Sequence, residues 1–297
     1  MPIALQSDGA ELVAEVDRGR LMAHIETIAV GPRANVENHA AALAAANHAD
    51  RAFTEAGLRP SRTDVSAVGV TLPVVWVEIP GSGCPAPAAT PTYVLTAHYD
   101  TVPGSPGADD DASGVAAVLE IARILAGRPL RASVVLAVVP FEELGEQYPG
   151  AAALAELLVQ DPGRSVQGMV SAEMLGYATQ QRDSQGLPGD YLNLLAYEGS
   201  DELVADFRSA AAQWVPHFEV QAATFPADTA FINRSDNAAF QERGVPSAFA
   251  SDGADFRTPY YHSEQDVPAD ISQEFLVDSA RVLLAWLVLS AMREPTC

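Results

Sequence analysis

Residues 93–127 read YVLTAHYDTVPGSPGADDDASGVAAVLEIARILAG, and the order of their parts decides the fold. YVLTA (93–97) is a short apolar run of strand character, and ASGVAAVLEIARILAG (112–127) carries apolar residues at helical spacing. The loop between them is rich in glycine and proline and holds one histidine, His98, with four aspartates, Asp100, Asp109, Asp110 and Asp111. Strand, loop and helix in that order predict a βα unit of a parallel sheet. Charge this dense beside buried apolar sequence must be solvated, paired or bound to a cation.

The same alternation extends to both sides. Residues 9–57 show helical spacing, with Gly57 as a stop, and VGVTLPVVWVEIPG (68–81) is β-branched and strand-like, followed by the connector GCPAPAATP. Downstream, strands are predicted at 133–140, 166–174, 191–197 and 245–251, and helices near 150–160, at 200–214, near 236–243 and at 272–292. QQRDSQGLPGD (180–190) reads as a surface loop. This pattern predicts an α/β class with a mainly parallel, mixed sheet and helices on both faces. Residues 1–297 are expected to form one domain with the helices of residues 1–60 packed on it.

Composition removes several functions. The formal net charge is 17 − 39 = −22, which argues against nucleic acid and anionic membrane surfaces as partners. It suits a cationic substrate group and a solubility role equally well. No lysine is present, so Schiff-base, P-loop and Ser-Lys chemistry are excluded. The cysteines Cys84 and Cys297 make neither a disulfide framework nor a Cys-type zinc site. The run VLLAWLVLSAM (282–292) is too short to span a bilayer, and MPIALQSDGAELVAEV lacks the form of a secretory signal; a cytoplasmic location is the expectation. No G-x-S-x-G elbow or calcium-loop spacing is present.

Open α/β sheets bind ligands at the carboxyl ends of their strands. His98 and Asp100 follow the strand at 93–97, Glu142 and Glu143 follow 133–140, Glu173 ends 166–174, and His262 follows 245–251. Acidic and imidazole groups from four strands therefore meet at one edge. The remaining histidines, His24, His39, His48 and His217, read as surface or capping residues, and Asp109 and Asp111 as capping, solvated charges. Asp236 is expected to cap the short helix that follows it. Tyr260, Tyr261 and Arg257 flank His262 and serve packing or substrate contact equally well.

Five segments in order, AHYD (97–100), GADDDASG (107–114), FEELG (141–145), SAEMLGY (171–177) and YYHSEQD (260–266), resemble the M28 zinc peptidases, which include bacterial two-zinc aminopeptidases. SDNAAFQERGVPSAF (235–249) resembles the segment that precedes their last ligand. The resemblance implies a phosphorylase/hydrolase-like zinc-peptidase fold and two zinc ions per chain. One ion would be held by His98, Asp110 and Glu173, the other by Asp110, Glu143 and His262. Glu142 would be the general base of a metal-bound hydroxide that hydrolyses a peptide or amide bond, most specifically at an N-terminal residue. Asp100, two residues past His98, fits a carboxylate that orients the imidazole, and Asp266 is a second such candidate.

Glu173, where many members carry aspartate, and Asn237, where SDH is more usual, depart from the pattern. Rival readings share this site. A carboxypeptidase or small-molecule amidase would need a cation such as Arg257 for a carboxylate. A glutaminyl-cyclase-like acyl transferase would use one zinc, and a non-catalytic binding protein would have lost ligands.

Overall fold

The computed structural model describes residues 3–84, 88–145, 147–181, 186 and 189–293, with side chains from residue 9 onward. Parts of the connector at 83–91 and of the loop at 180–190, and Cys297, lie outside the described residues. One eight-stranded sheet organises the rest: β1 (Ser61–Ala67), β2 (Val70–Ile79), β3 (Thr90–His98), β4 (Ser133–Val139), β5 (Arg164–Ala172), β6 (Leu192–Tyr197), β7 (Val220–Phe225) and β8 (Ser247–Ser251). Their order across the sheet is β1-β2-β4-β3-β5-β8-β6-β7. Pairs β4–β3, β3–β5, β5–β8 and β6–β7 are parallel; β1–β2, β2–β4 and β8–β6 are antiparallel. This is the mainly parallel α/β sheet that the alternation predicts.

Burial explains which strands were legible. Every residue of β4 (SVVLAVV) is buried, as a strand covered on both faces requires, and it reads as an unbroken apolar run. The two strands that sequence reading missed are the edges. β1 (SRTDVSA) is mostly exposed, and β7 (VQAATF) buries one residue fully. Edge strands carry polar residues that block further pairing, so they lack an apolar signal. Val68 and Gly69, both with positive φ, turn β1 into β2 as a two-residue hairpin.

Among the described residues eight α-helices surround the sheet: α1 (Ile3–Ala14), α2 (Arg18–Ile28), α3 (His39–Glu55), α4 (Ala112–Leu125), α5 (Pro149–Val159), α6 (Asp201–Trp214), α7 (Asn237–Gln241) and α8 (Gln273–Met292). α4 and α8 pack on one face over β3 and β4, with α2 against α4, α3 on β2, and α1 and α6 against α8. α5 and α7 pack together on the other face. α8 is 20 residues long, as the helix expected at 272–292, and although its apolar run at 282–292 is short, the whole helix has the length and composition of a membrane span. However, 83% of its most apolar window is buried against the rest of the protein, which makes it a core helix. Its Trp286 is fully buried between Tyr93 and Phe207.

The expectation that His24 and His48 are surface residues is corrected in part: they are half-buried and face each other across α2 and α3, with Nδ1 and Nε2 2.8 Å apart. Cys84 is disulfide-bonded.

The packing that matters most to the site is the approach of α4 to β5. Helix α4 starts so close to the strand end that a Cβ on Gly114 would lie 2.5 Å from the Ala172 carbonyl and 2.5 Å from Asp111 Oδ1. Only glycine permits this contact, since the obstacle is main chain and a capping carboxylate. Gly114→Ala should therefore cost about 1–3 kcal/mol through forced backbone movement. Urea unfolding measures it, and an unchanged midpoint would contradict the close approach.

Candidate metal centre

Strands β3, β4, β5 and β8 run parallel, so their carboxyl ends share one edge of the sheet. His98 ends β3, Glu142 and Glu143 follow β4, Glu173 follows β5, and the chain beyond β8 brings back His262. Asp110 arrives from the loop before α4. A strand points successive side chains to opposite faces, so presenting adjacent residues to one place needs a break in the backbone. Three such breaks are present. Phe141, Met174 and His262 are non-glycine residues in the left-handed region, with φ of 69°, 55° and 56°. The Gly145 N–H donates to the Glu142 carbonyl and closes the turn that carries both glutamates. Strained residues of this kind concentrate where side chains must be aimed.

The resulting geometry has two halves joined by one carboxylate. His98 Nε2 lies 3.2 Å from Asp110 Oδ1 and 3.4 Å from Glu173 Oε1. His262 Nε2 lies 3.3 Å from Asp110 Oδ2 and 3.2 Å from Glu143 Oε2. Zinc ligands sit about 2.0–2.1 Å from the ion, so two ligands of one tetrahedral ion are about 3.3–3.4 Å apart. Both halves match that edge length, and each oxygen of Asp110 faces a different imidazole. Glu143 Oε1 is buried with no hydrogen-bond partner, as expected of a donor left for a cation. Glu142 Oε2 stands 4.0 Å from His98 Nε2, beside the first half and outside its closest contacts.

The charges corroborate this fit. Burial opposes a proton on His98, but Glu173, Glu142 and the neighbouring aspartates outweigh it and hold the imidazolium well above the ordinary histidine range. Burial likewise opposes the charge on His262, and Asp110 and Glu143 lift it to about 10. Burial and the Asp110 charge push Glu143 up to about 7. Burial raises Glu142 well above the carboxylate range, with Glu173 and Glu143 adding to the effect and His98 opposing it. Asp110 goes the other way: burial would raise it, yet hydrogen bonds from His262 and His98 hold it below the ordinary aspartate range. Positive charge is wanted here, and protons supply it when no cation does.

A second tier of carboxylates holds the first by its main chain. Asp111 lies within ligand reach of His98 and Glu173. Its oxygens instead accept the N–H groups of Gly114, Met174 and His98, so it is the cap of α4 and the tie between strands β3 and β5. It is fully buried, and Asp109 nearly so, which corrects the expectation of solvated charges. Asp266 does not orient His262; its two oxygens accept the N–H groups of Asp109 and Asp110. Asp100 is placed as expected, but the nearest acceptor to His98 Nδ1 is the Asp100 carbonyl at 3.1 Å, with the carboxylate at 3.7 Å. That carboxylate accepts from the main-chain N–H groups of Glu142 and Glu143.

Ser235, which sequence reading passed over, donates to Glu173 Oε2 at 2.8 Å and so orients the longer glutamate. Asp236 makes no capping hydrogen bond; both its oxygens are buried and unpartnered, and burial lifts it to about 8. Asn237 braces its own loop by donating to the Ile232 carbonyl.

A cavity of 610 Å³ opens beside the centre, with Glu173 and Tyr261 at the shared wall and Phe225, Phe231, Phe249 and Phe256 among its lining. Tyr261 also stacks on the His262 ring at 3.7 Å. Tyr260 packs on Tyr177. Arg257 is buried, donates to the Tyr191 carbonyl and lies over the Tyr191 ring, outside the cavity lining.

Comparison with known proteins finds zinc metalloproteases and aminopeptidases among the proteins similar to this chain. A probable zinc metalloprotease of Leptosphaeria maculans is 41% identical over 98 residues, 30% of this chain and 22% of that protein. The aminopeptidase YwaD of Bacillus subtilis is 27% identical over 203 residues, 67% of this chain and 41% of that protein. The chain thus spans less than half the length of either relative. LapB of Legionella pneumophila superposes with a TM-score of 0.79 at 19% identity, covering 98% of this chain and 77% of that one, a likeness of fold. The model of peptidase family M28 matches residues 75–287, well over half the sequence and every segment that brings a side chain to the centre. The chain belongs to peptidase family M28.

Proposed function

We propose that this protein is a metallopeptidase that holds two zinc ions and removes N-terminal residues from peptides. The observation that carries the reading is Asp110, whose two oxygens face two imidazoles at tetrahedral-edge distances. His98, Asp110 and Glu173 would hold one ion, and Asp110, Glu143 and His262 the other. Zinc bound there supplies Lewis-acid polarisation of the scissile carbonyl and acidification of water.

The chain's own residues then have separable tasks. Glu142 accepts a proton from the attacking water and returns it to the leaving amine. Its buried position favours the protonated form, and nearby dications would restore the carboxylate that a base requires. Asp100 keeps Glu142 and Glu143 on a fixed main chain, and Ser235 keeps Glu173 turned toward His98. The cavity beside Glu173 offers an aromatic wall to a large apolar side chain of the substrate. The carboxypeptidase reading is less favoured: Arg257 lies outside the cavity, and of the arginines that line it Arg234 pairs with Asp255 at 3.0 Å and Arg208 donates to the Ala222 carbonyl. A one-zinc acyl transferase has no use for the His98 half, and a binding protein none for Glu142.

Leucyl- and phenylalanyl-amides should be cleaved, their N-blocked forms and C-terminal-carboxylate controls spared, and chelator should abolish turnover. Glu142→Gln should lower kcat about 10²–10⁴-fold with zinc content intact. Cleavage of N-blocked substrates, or full activity of Glu142→Gln, would contradict the reading.

The titrations set a further expectation. Glu143 and Asp266 titrate near 7 and Asp236 near 8, all above their unfolded values, while His262 titrates near 10. The folded, metal-free chain therefore holds protons that the unfolded chain has released, and that stabilisation is lost as pH rises through these values. Chelated protein should melt at a lower temperature at pH 8 than at pH 5, and zinc should raise the melting temperature more at pH 8. The reverse order would contradict the charge balance described for the centre.

A further inference from the structure

The segment between α2 and α3 supplies no ligand, yet two of its side chains reach the loops that do. Arg33 is 1% exposed. Its guanidinium donates to the main-chain carbonyls of Ile28, Tyr99, Pro106 and Gly107, and its own N–H donates to Thr101 Oγ1. Every side-chain hydrogen bond it makes among the described residues thus goes to backbone. Three of these carbonyls belong to the loop between His98 and Asp110. Contact is close: a Cβ on Gly107 would lie 2.9 Å from Arg33 Nη2 and 2.2 Å from the Asp110 carbonyl.

Asn35, also buried, donates from Nδ2 to Asp100 Oδ2 at 2.7 Å. The same carboxylate accepts the main-chain N–H groups of Glu142 and Glu143. One arm of the segment therefore ends at the loop that carries Asp110, and the other at the turn that carries the base and a ligand.

We propose that Arg33 and Asn35 are positioning residues for the metal centre, Arg33 setting the approach of Asp110 to His98 and Asn35 setting the turn of Glu142 and Glu143 through Asp100. This rests on the metal-centre reading above. A buried arginine suits the task because its planar fork holds several carbonyls at once, which a lysine ammonium on a flexible stem does not. The two residues act through others and touch no reacting atom.

The test uses Asn35→Ala and Arg33→Lys in the full chain. Zinc affinity and stoichiometry are read by competition with a chromophoric chelator, kcat and KM separately, and melting temperature after chelation. Asn35→Ala should bind two zinc ions and lose about 10–100-fold in kcat with KM within about twofold. Arg33→Lys should weaken zinc binding about 10–100-fold.

Variants that melt lower but keep wild-type zinc affinity and kcat would overturn the inference and leave both residues merely structural. If Arg33→Lys does not fold, Asn35→Ala decides alone, because its kcat against KM and zinc content still separate the two roles. Failure of the wild-type protein to bind zinc would instead contradict the metal-centre reading, and this inference with it.

Discussion

Asp110 is the constraint on which the rest of the structure depends. One carboxylate, nearly fully buried, faces His98 with one oxygen and His262 with the other. Burying a charge costs several kcal/mol unless it is paired and hydrogen-bonded. Here the pairing is doubled, and Glu142, Glu143 and Glu173 crowd the same volume with further negative charge. Such a cluster calls for positive charge. The same carboxylates raise His98 and His262 above the ordinary histidine range, and two divalent ions would satisfy the charge more fully.

Around this cluster the main chain is held by carboxylates that are not ligands. Asp111 ties α4 to the ends of β3 and β5, Asp266 holds the N–H groups of Asp109 and Asp110, and Asp100 holds those of Glu142 and Glu143. Fixing the proposed ligands by their backbone leaves their side-chain oxygens free for the centre. The arrangement explains why a segment remote in sequence, residues 29–38, reaches the site: it anchors what the carboxylates anchor. It also explains the three left-handed residues, since a backbone held so firmly sustains conformations that free chain would leave.

Much of this was legible in the sequence, and the limits have physical causes. β3, β4 and α4 announce themselves because both faces of the sheet are covered there. His98, Glu143, Glu173 and His262 converge as their positions after the strands predict, and Asp110, which only the family resemblance singles out, joins them from the loop before α4. β1 and β7 escaped because edge strands are polar. Asp266 and Asp236 were misassigned because the partner of a carboxylate depends on loops whose paths carry no periodic signal. Arg33 and Asn35 were missed for a similar reason. GPRAN looks like ordinary loop punctuation, and only the folded chain shows a buried guanidinium surrounded by carbonyls. Ser235 lay inside a quoted segment, but its hydroxyl gains meaning only beside Glu173.

An anomalous-difference map at the zinc edge, from crystals grown with zinc, tests the proposal that Asp110 joins two metal sites. Two peaks about 3.5–4 Å apart are expected, one on each side of the Asp110 carboxylate. One peak is expected beside His98 and Glu173, the other beside Glu143 and His262. A single peak, or two peaks that Asp110 does not bridge, would contradict it.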